Sequence, residues 1–286
     1  MPRGGPVLAF AVIVAGVLHA GWNAIAKGVP DRWAGLALIG TGEAVVALAA
    51  LAFVPVPAAA AWPWLLASVA VHLVYMGLLL ASYQLGDFSQ VYPLARGSAP
   101  LIVAAVAAVA LSERLSLAQT GGVVAVSAGL AVLALVPAGP DAAPRDRRAV
   151  GAALLTGASI AAYTVLDGSG VRDAGSAAGY ALWLFALEAP LTVLLVRLLR
   201  RGPLTGSLDR RQALLAAAGG VISMAAYGIV LWAQTRGALA SVAALRETGV
   251  ISGAVIGAVF FGERMGARRV AAACVVAAGV LLITAA

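Results

Sequence analysis

The chain is cut into ten strongly apolar runs by gaps too short to hold a folded soluble unit. Runs of roughly twenty apolar residues are what an α-helix needs to cross a hydrocarbon core of about 30 Å. The spans read from the pattern are about 6–27, 32–54, 62–84, 88–111, 116–136, 148–170, 177–201, 211–235, 238–261 and 266–285. With 62% hydrophobic and 11% charged residues and a mean hydropathy of +0.99, 286 residues have too little polar surface for a soluble domain. The opening MPRGGPVLAFAVIVAG resembles a secretion signal, but the apolar run continues to Ala26, so it is read as the first membrane helix.

The gaps carry the expected breakers. Pro30-Asp31-Arg32 and Pro55-Val56-Pro57 close the first two connections. The longest polar segment, Pro137 to Arg148, divides five spans from five. The organisation read from this is a first five-helix repeat at 1–136, a connection at 137–147 and a second repeat at 148–286. The net charge of +7 does not point to nucleic acid, because the arginines sit in the short gaps, where topology signals belong. Thirteen basic residues, among them Arg32, Arg148, Arg200, Arg211 and Arg268, fall on one side. Only Arg3, Arg114, Arg172 and Arg236 fall on the side that holds both termini. By the positive-inside rule this bias puts the termini outside.

A shift of 150 residues superposes 84–135 on 234–285 without a gap. Ten of the 52 aligned positions are identical, and chance accounts for about half of those in an Ala/Val-rich chain. The informative coincidences are Gln84 with Gln234, Arg96 with Arg246, Glu113-Arg114 with Glu263-Arg264 and Gly129 with Gly279. They indicate a duplicated half. Five helices per half is an odd number, so the second half crosses in the opposite sense. The fold class expected is an all-α membrane protein of ten transmembrane helices in two inverted five-helix repeats, an architecture of carriers.

Ionisable groups inside membrane spans are expensive and each needs a reason. Glu43 and Glu188 sit near the middles of the second and seventh spans, and Arg96 and Arg246 about two turns into the fourth and ninth. Glu247 follows Arg246, giving three carboxylates against two guanidinium groups. Glu43 and Glu188 are therefore read either as structural ion pairs with Arg96 and Arg246 or as a proton-coupling pair. On the first span, spacings of three and four put His19, Trp22 and Asn23 on one face. His72 and Tyr75 on the third span, Tyr92 entering the fourth and Tyr227 on the eighth add aromatic walls with polar tips. Such surfaces suit an organic solute better than a bare ion. The substrate-binding set is Trp22, Asn23, His72, Tyr75, Tyr92, Arg96, Tyr227 and Arg246. Gly121, Ala125 and Gly129 on the fifth span, with Ala273 and Ala277 on the tenth, give small residues at four-residue spacing for close helix contact or a homodimer face. Glu113-Arg114 and Glu263-Arg264 are read as solvated pairs in tight turns that cap helix ends.

Enzyme signatures are missing: the sequence has no HExxH, CxxC, GxSxG or GxxxxGK[ST]. The single cysteine, Cys274, leaves no cysteine metal cluster. The expectation is a protein that is no enzyme and needs no cofactor or metal. Its partners are a small-molecule solute and the lipid bilayer, as monomer or homodimer.

HAGWNAIAK in the first span, VYPLARGSAPL entering the fourth, LSERLSLAQTGG after it and the echo FGERMGARR resemble the EamA-type branch of the drug/metabolite transporter superfamily. The resemblance covers essentially the whole chain. It implies two inverted five-helix halves around a central cavity, with the fifth and tenth helices peripheral. It also implies secondary transport, in many members export of amino acids or related metabolites, in a bacterial-type inner membrane. It places both termini in the cytoplasm, against the arginine bias. The second half departs from the pattern: Pro93 aligns with Ala243 and Pro100 with Val250, so strict symmetry of function is not expected.

Overall fold

The computed structural model describes residues 5–85, 88–135, 146–200, 208–261 and 267–285. Gly86-Asp87, most of the 137–147 connection and Glu263-Arg264 lie outside them. The described residues are helical, apart from short turns and two brief 3₁₀ turns. The helices are α1 (Gly5–Gly28), α2 (Arg32–Ala50), α3 (Trp62–Leu85), α4 (Phe88–Ala110), α5 (Leu117–Leu135) and α6 (Arg147–Asp173). After these come α7 (Ala177–Leu199), α8 (Arg210–Gln234), α9 (Leu239–Arg246), α10 (Gly249–Phe261) and α11 (Ala267–Thr284). Among the described residues eight helices, α1 to α8, are long and apolar enough to cross a membrane; the apolar part of α11 is shorter.

Polar residues in the gaps start these helices. Asp31 accepts from the backbone N–H of Trp33 and Ala34 at 3.1 and 3.0 Å, and Ser176 from Gly179 N at 3.1 Å. Asp209 and Gln212 form a reciprocal capping box on α8. Orphan N–H groups at a helix start need such acceptors, and lipid supplies none.

The ninth span expected at 238–261 is two helices. The chain turns at Glu247-Thr248 with bonds of the i→i+3 kind, Glu247 N to Ala244 O, Thr248 N to Leu245 O and Val250 N to Glu247 O. No proline causes the break. It is set by packing: a Cβ on Gly249 would sit 2.8 Å from Gly16 O, and one on Gly16 would sit 2.9 Å from Thr248 Oγ1. By contrast α4 contains Pro93 and Pro100 and stays continuous.

Backbones approach closely wherever a glycine allows it. A Cβ on Gly42 would lie 2.2 Å from Ala217 O, and one on Gly220 2.1 Å from Ile39 O, which seats α2 on α8. The fifth and tenth expected spans, α5 and α11, do pack together, through a face that includes Gly129 but turns away from Gly121. Gly122, Val126 and Gly129 meet Ala272, Val276, Gly279 and Ile283. Gly121 has nothing within 4 Å of its would-be Cβ, and Ala277 is exposed. Every residue of α9 is buried, so this short helix sits in the interior with Arg246 at its last position.

Candidate functional site

Three groups of polar side chains occupy the interior. The first lies where α9 ends. Arg96 of α4 donates from Nη1 to Glu247 Oε1 at 3.3 Å, and its Nη2 meets Nε2 of His19 on α1. Arg246 Nε lies 3.5 Å from the same Glu247 oxygen. The arginines related by the sequence repeat thus converge on one carboxylate, only 1% exposed, at the helix break. Trp22 Nε1 donates to His19 Nδ1 at 3.1 Å and Asn23 Nδ2 to His19 O at 2.7 Å. The indole N–H of Trp22 and the amide nitrogen of Asn23 are therefore directed to His19. Tyr92 lies beside Arg96, whose Cζ is 5.5 Å from the ring centroid.

The second group is aromatic and centres on Asp167 of α6. This carboxylate is fully buried and accepts hydroxyl hydrogens from Tyr180 at 3.0 Å and Tyr227 at 2.5 Å. Tyr163, one turn before it, stacks on His72 with centroids 4.1 Å apart. Tyr75 and Tyr227 meet the Tyr163 ring edge-on at 5.5 and 6.1 Å. His72 is held by Ser68, whose hydroxyl is 3.1 Å from Nδ1.

The third group is Glu43 of α2, Glu188 of α7 and Ser223 of α8. Glu43 interacts with the Glu188 carboxylate electrostatically and with the Ser223 side chain by a hydrogen bond. Glu188 in turn lies in the electrostatic neighbourhood of His72 and Asp167. The expected alternative of ion pairs between these glutamates and Arg96 or Arg246 does not hold. Among the described residues both arginines turn to Glu247, and neither glutamate has an arginine within ion-pair distance. Their mid-span positions gave the glutamates the right setting but not the partner.

His72, Tyr75, Tyr227, Arg246, Arg96 and Tyr92 are thus brought into one interior tract, with Glu43 and Glu188 at its α2–α7 end. Asp167 is a member the sequence reading passed over. Asp167 sits near the end of its expected span, where an acid reads as interfacial. Tyr163 is four residues before it on the same helix face, and that spacing was the available signal.

Glu113 is not a solvated turn residue. It pairs with Arg172 at 2.8 Å and accepts from Leu239 N at 2.9 Å, so it caps α9 across the chain's midpoint. Among the described residues no cluster of three or more histidine, cysteine or acidic side chains has a metal-binding arrangement.

No curated protein matches this sequence. A protein known from a crystal structure, 18% identical, aligns over 98% of this chain and 96% of its own length with a TM-score of 0.73, and it shares the fold. The model of the EamA-like transporter family matches residues 147–285, which span α6 to α11. This chain is a multi-pass membrane protein and belongs to the EamA-type branch of the drug/metabolite transporter superfamily.

Proposed function

We propose that the protein is a secondary carrier that exports a small organic solute, an amino acid or related metabolite, across a bacterial-type inner membrane by alternating access. Counting α9 and α10 as one broken span gives ten spans in two inverted halves. The observation that carries the reading is the convergence of Arg96 from the first half and Arg246 from the second on Glu247, at a helix break. Broken helices at the contact between repeats are where carriers hold solutes, because unwound backbone is tolerated in a membrane only where it lines a cavity or is buried in protein. The aromatic tract of His72, Tyr75, Tyr163 and Tyr227 supplies the wall for an organic solute.

The interacting pair Glu43 and Glu188 supports proton coupling. Two carboxylates that interact in a medium of low dielectric constant, with no arginine paired to either, favour sharing a proton over carrying two charges. Such a pair takes up and releases a proton as the halves move.

Counterflow in liposomes tests both parts. Saturable counterflow of labelled solute is the expected result, and a passive facilitator gives none. Wild-type transport depends on pH, and Glu43→Gln and Glu188→Gln flatten that dependence. Transport in the Gln variants that keeps the wild-type pH profile removes the proton role and leaves the carrier.

A further inference from the structure

We infer that Arg246 is the anchor for a carboxylate of the transported solute, and that Arg96 holds the anchor in place without contacting the solute. The inference deepens the carrier reading and rests on it for the word transported, but the binding it claims is separable.

The two arginines look equivalent in the sequence and are not equivalent in space. Both terminal nitrogens of Arg96 are committed. Its Nη1 donates to Glu247, its Nη2 meets His19 and its face lies beside Tyr92. Arg246 is as deeply buried, 5% exposed against 5% for Arg96, yet its Nε and Nη2 donate to no acceptor among the described residues. Its Nε comes within 3.5 Å of Glu247 Oε1 without hydrogen-bond geometry.

Those two unpartnered donors are neighbours. Nε–H and the adjacent Nη2–H form the side-on edge of a guanidinium group, whose spacing matches the two oxygens of one carboxylate. A buried polar group without a partner is costly, and a guanidinium more so than a neutral donor. The charges agree with the donors. Two guanidinium groups share the single carboxylate of Glu247, which leaves one positive charge at the end of α9 without a counterion among the described residues. The phenols of Tyr163 and Tyr227 are close enough to Arg246 to interact with it electrostatically. Tyr227 already gives its hydroxyl hydrogen to Asp167. The forked donor thus stands near the aromatic cluster of Tyr163, Tyr227 and His72, a neighbourhood suited to an anion with an organic body.

The test uses the purified full chain in detergent and a panel of amino acids and their deaminated acids, each beside its own carboxamide. Binding is read as the ligand-dependent rise in melting temperature. The expected result is that at least one carboxylate stabilises the wild type and binds about tenfold or more tightly than its carboxamide. Arg246→Gln abolishes that preference. Arg246→Lys, which keeps the charge and loses the fork, weakens carboxylate binding by about tenfold while its unliganded melting temperature shows the fold intact. Arg96→Lys retains the preference for carboxylate over carboxamide. The inference is overturned if no carboxylate in the panel stabilises the wild type. It is equally overturned by equal responses to acid and amide, or by an unchanged preference in both Arg246 variants. Counterflow separates this from the carrier reading. Counterflow of a solute indifferent to amidation sinks the anchor alone, and carboxylate-selective binding without counterflow sinks the carrier alone.

Discussion

A carboxylate that bridges two buried guanidinium groups is exposed to a large penalty if it is lost, because both cations then lie uncompensated in a medium that cannot solvate them. Glu247, with Arg96 at 3.3 Å and Arg246 at 3.5 Å, is in that position. Glu247→Ala is expected to cost roughly 3–5 kcal/mol, the usual result of removing one partner of a buried pair. Glu247→Asp, which keeps the charge at a shorter reach, costs less. Melting of the purified variants in detergent checks this, and equal stability of wild type and Glu247→Ala would show that the bridge is not structural. The residue was in plain view beside Arg246, and its role was not legible. Helical periodicity says which side chains share a face of one helix, but it says nothing of which faces of α4 and α9 meet. The mid-span positions of Glu43 and Glu188 therefore drew the arginines as partners, and the structure gives the arginines to Glu247. Asp167 was harder still, since its two tyrosine donors come from α7 and α8 and only the fold assembles them.

At the scale of elements, the contact between α5 and α11 depends on one residue of register. A Cβ on Gly122 would lie 2.6 Å from Gly279 O, whereas one on Gly121 would meet nothing within 4 Å. Gly122→Leu is expected to destabilise by about 1–3 kcal/mol through overpacking, and Gly121→Leu to stay within about 0.5 kcal/mol of wild type. Paired melting curves decide it, and the reverse order would put the contact on the face that the four-residue spacing of Gly121, Ala125 and Gly129 suggested. That spacing foretold that the two helices pack and placed Gly129 in the contact, but it chose Gly121 over Gly122, because both are small and only the partner helix distinguishes them. The break after α9 was illegible for a related reason. Nothing at Glu247-Thr248 is a helix breaker by propensity, and the turn exists because Gly16 and Gly249 let two backbones meet there. The prolines of α4 point the other way: Pro93 and Pro100 mark a helix that nonetheless runs unbroken from Phe88 to Ala110.

For the whole molecule the apolar runs were the most legible feature, since α1 to α8 begin and end within a few residues of the runs read from 6–27 to 211–235. Lengths and polar gaps are local properties, and the bilayer sets them. What joins the halves is not local. As α1 to α8 run back and forth, the connections alternate between the two ends of the bundle, and each end carries an ion pair between halves. Arg200 meets Asp31 at 2.7 Å at one end, and Arg172 meets Glu113 at 2.8 Å at the other. Arg172 also donates to Gln234 O and Gly237 O at 2.9 Å, so one side chain ties α6, the α8–α9 connection and the α4–α5 turn together. A carrier that alternates must release one end at a time, and a partly exposed pair is suited to that. It contributes only about 1 kcal/mol, equivalent to about a fivefold shift in a two-state population. Arg172→Gln should therefore favour the state open at its own end. Ser241, 7% exposed on α9 just inside this end, reports it once changed to cysteine in a Cys274→Ala background. A membrane-impermeant maleimide should label Ser241→Cys about fivefold faster when Arg172→Gln is added, and Glu113→Gln should act alike. The two changes together should add less than the sum of their single effects, because both remove the Arg172–Glu113 contact. Labelling that stays at the wild-type rate in both variants would mean that this pair holds the fold together and does not gate it.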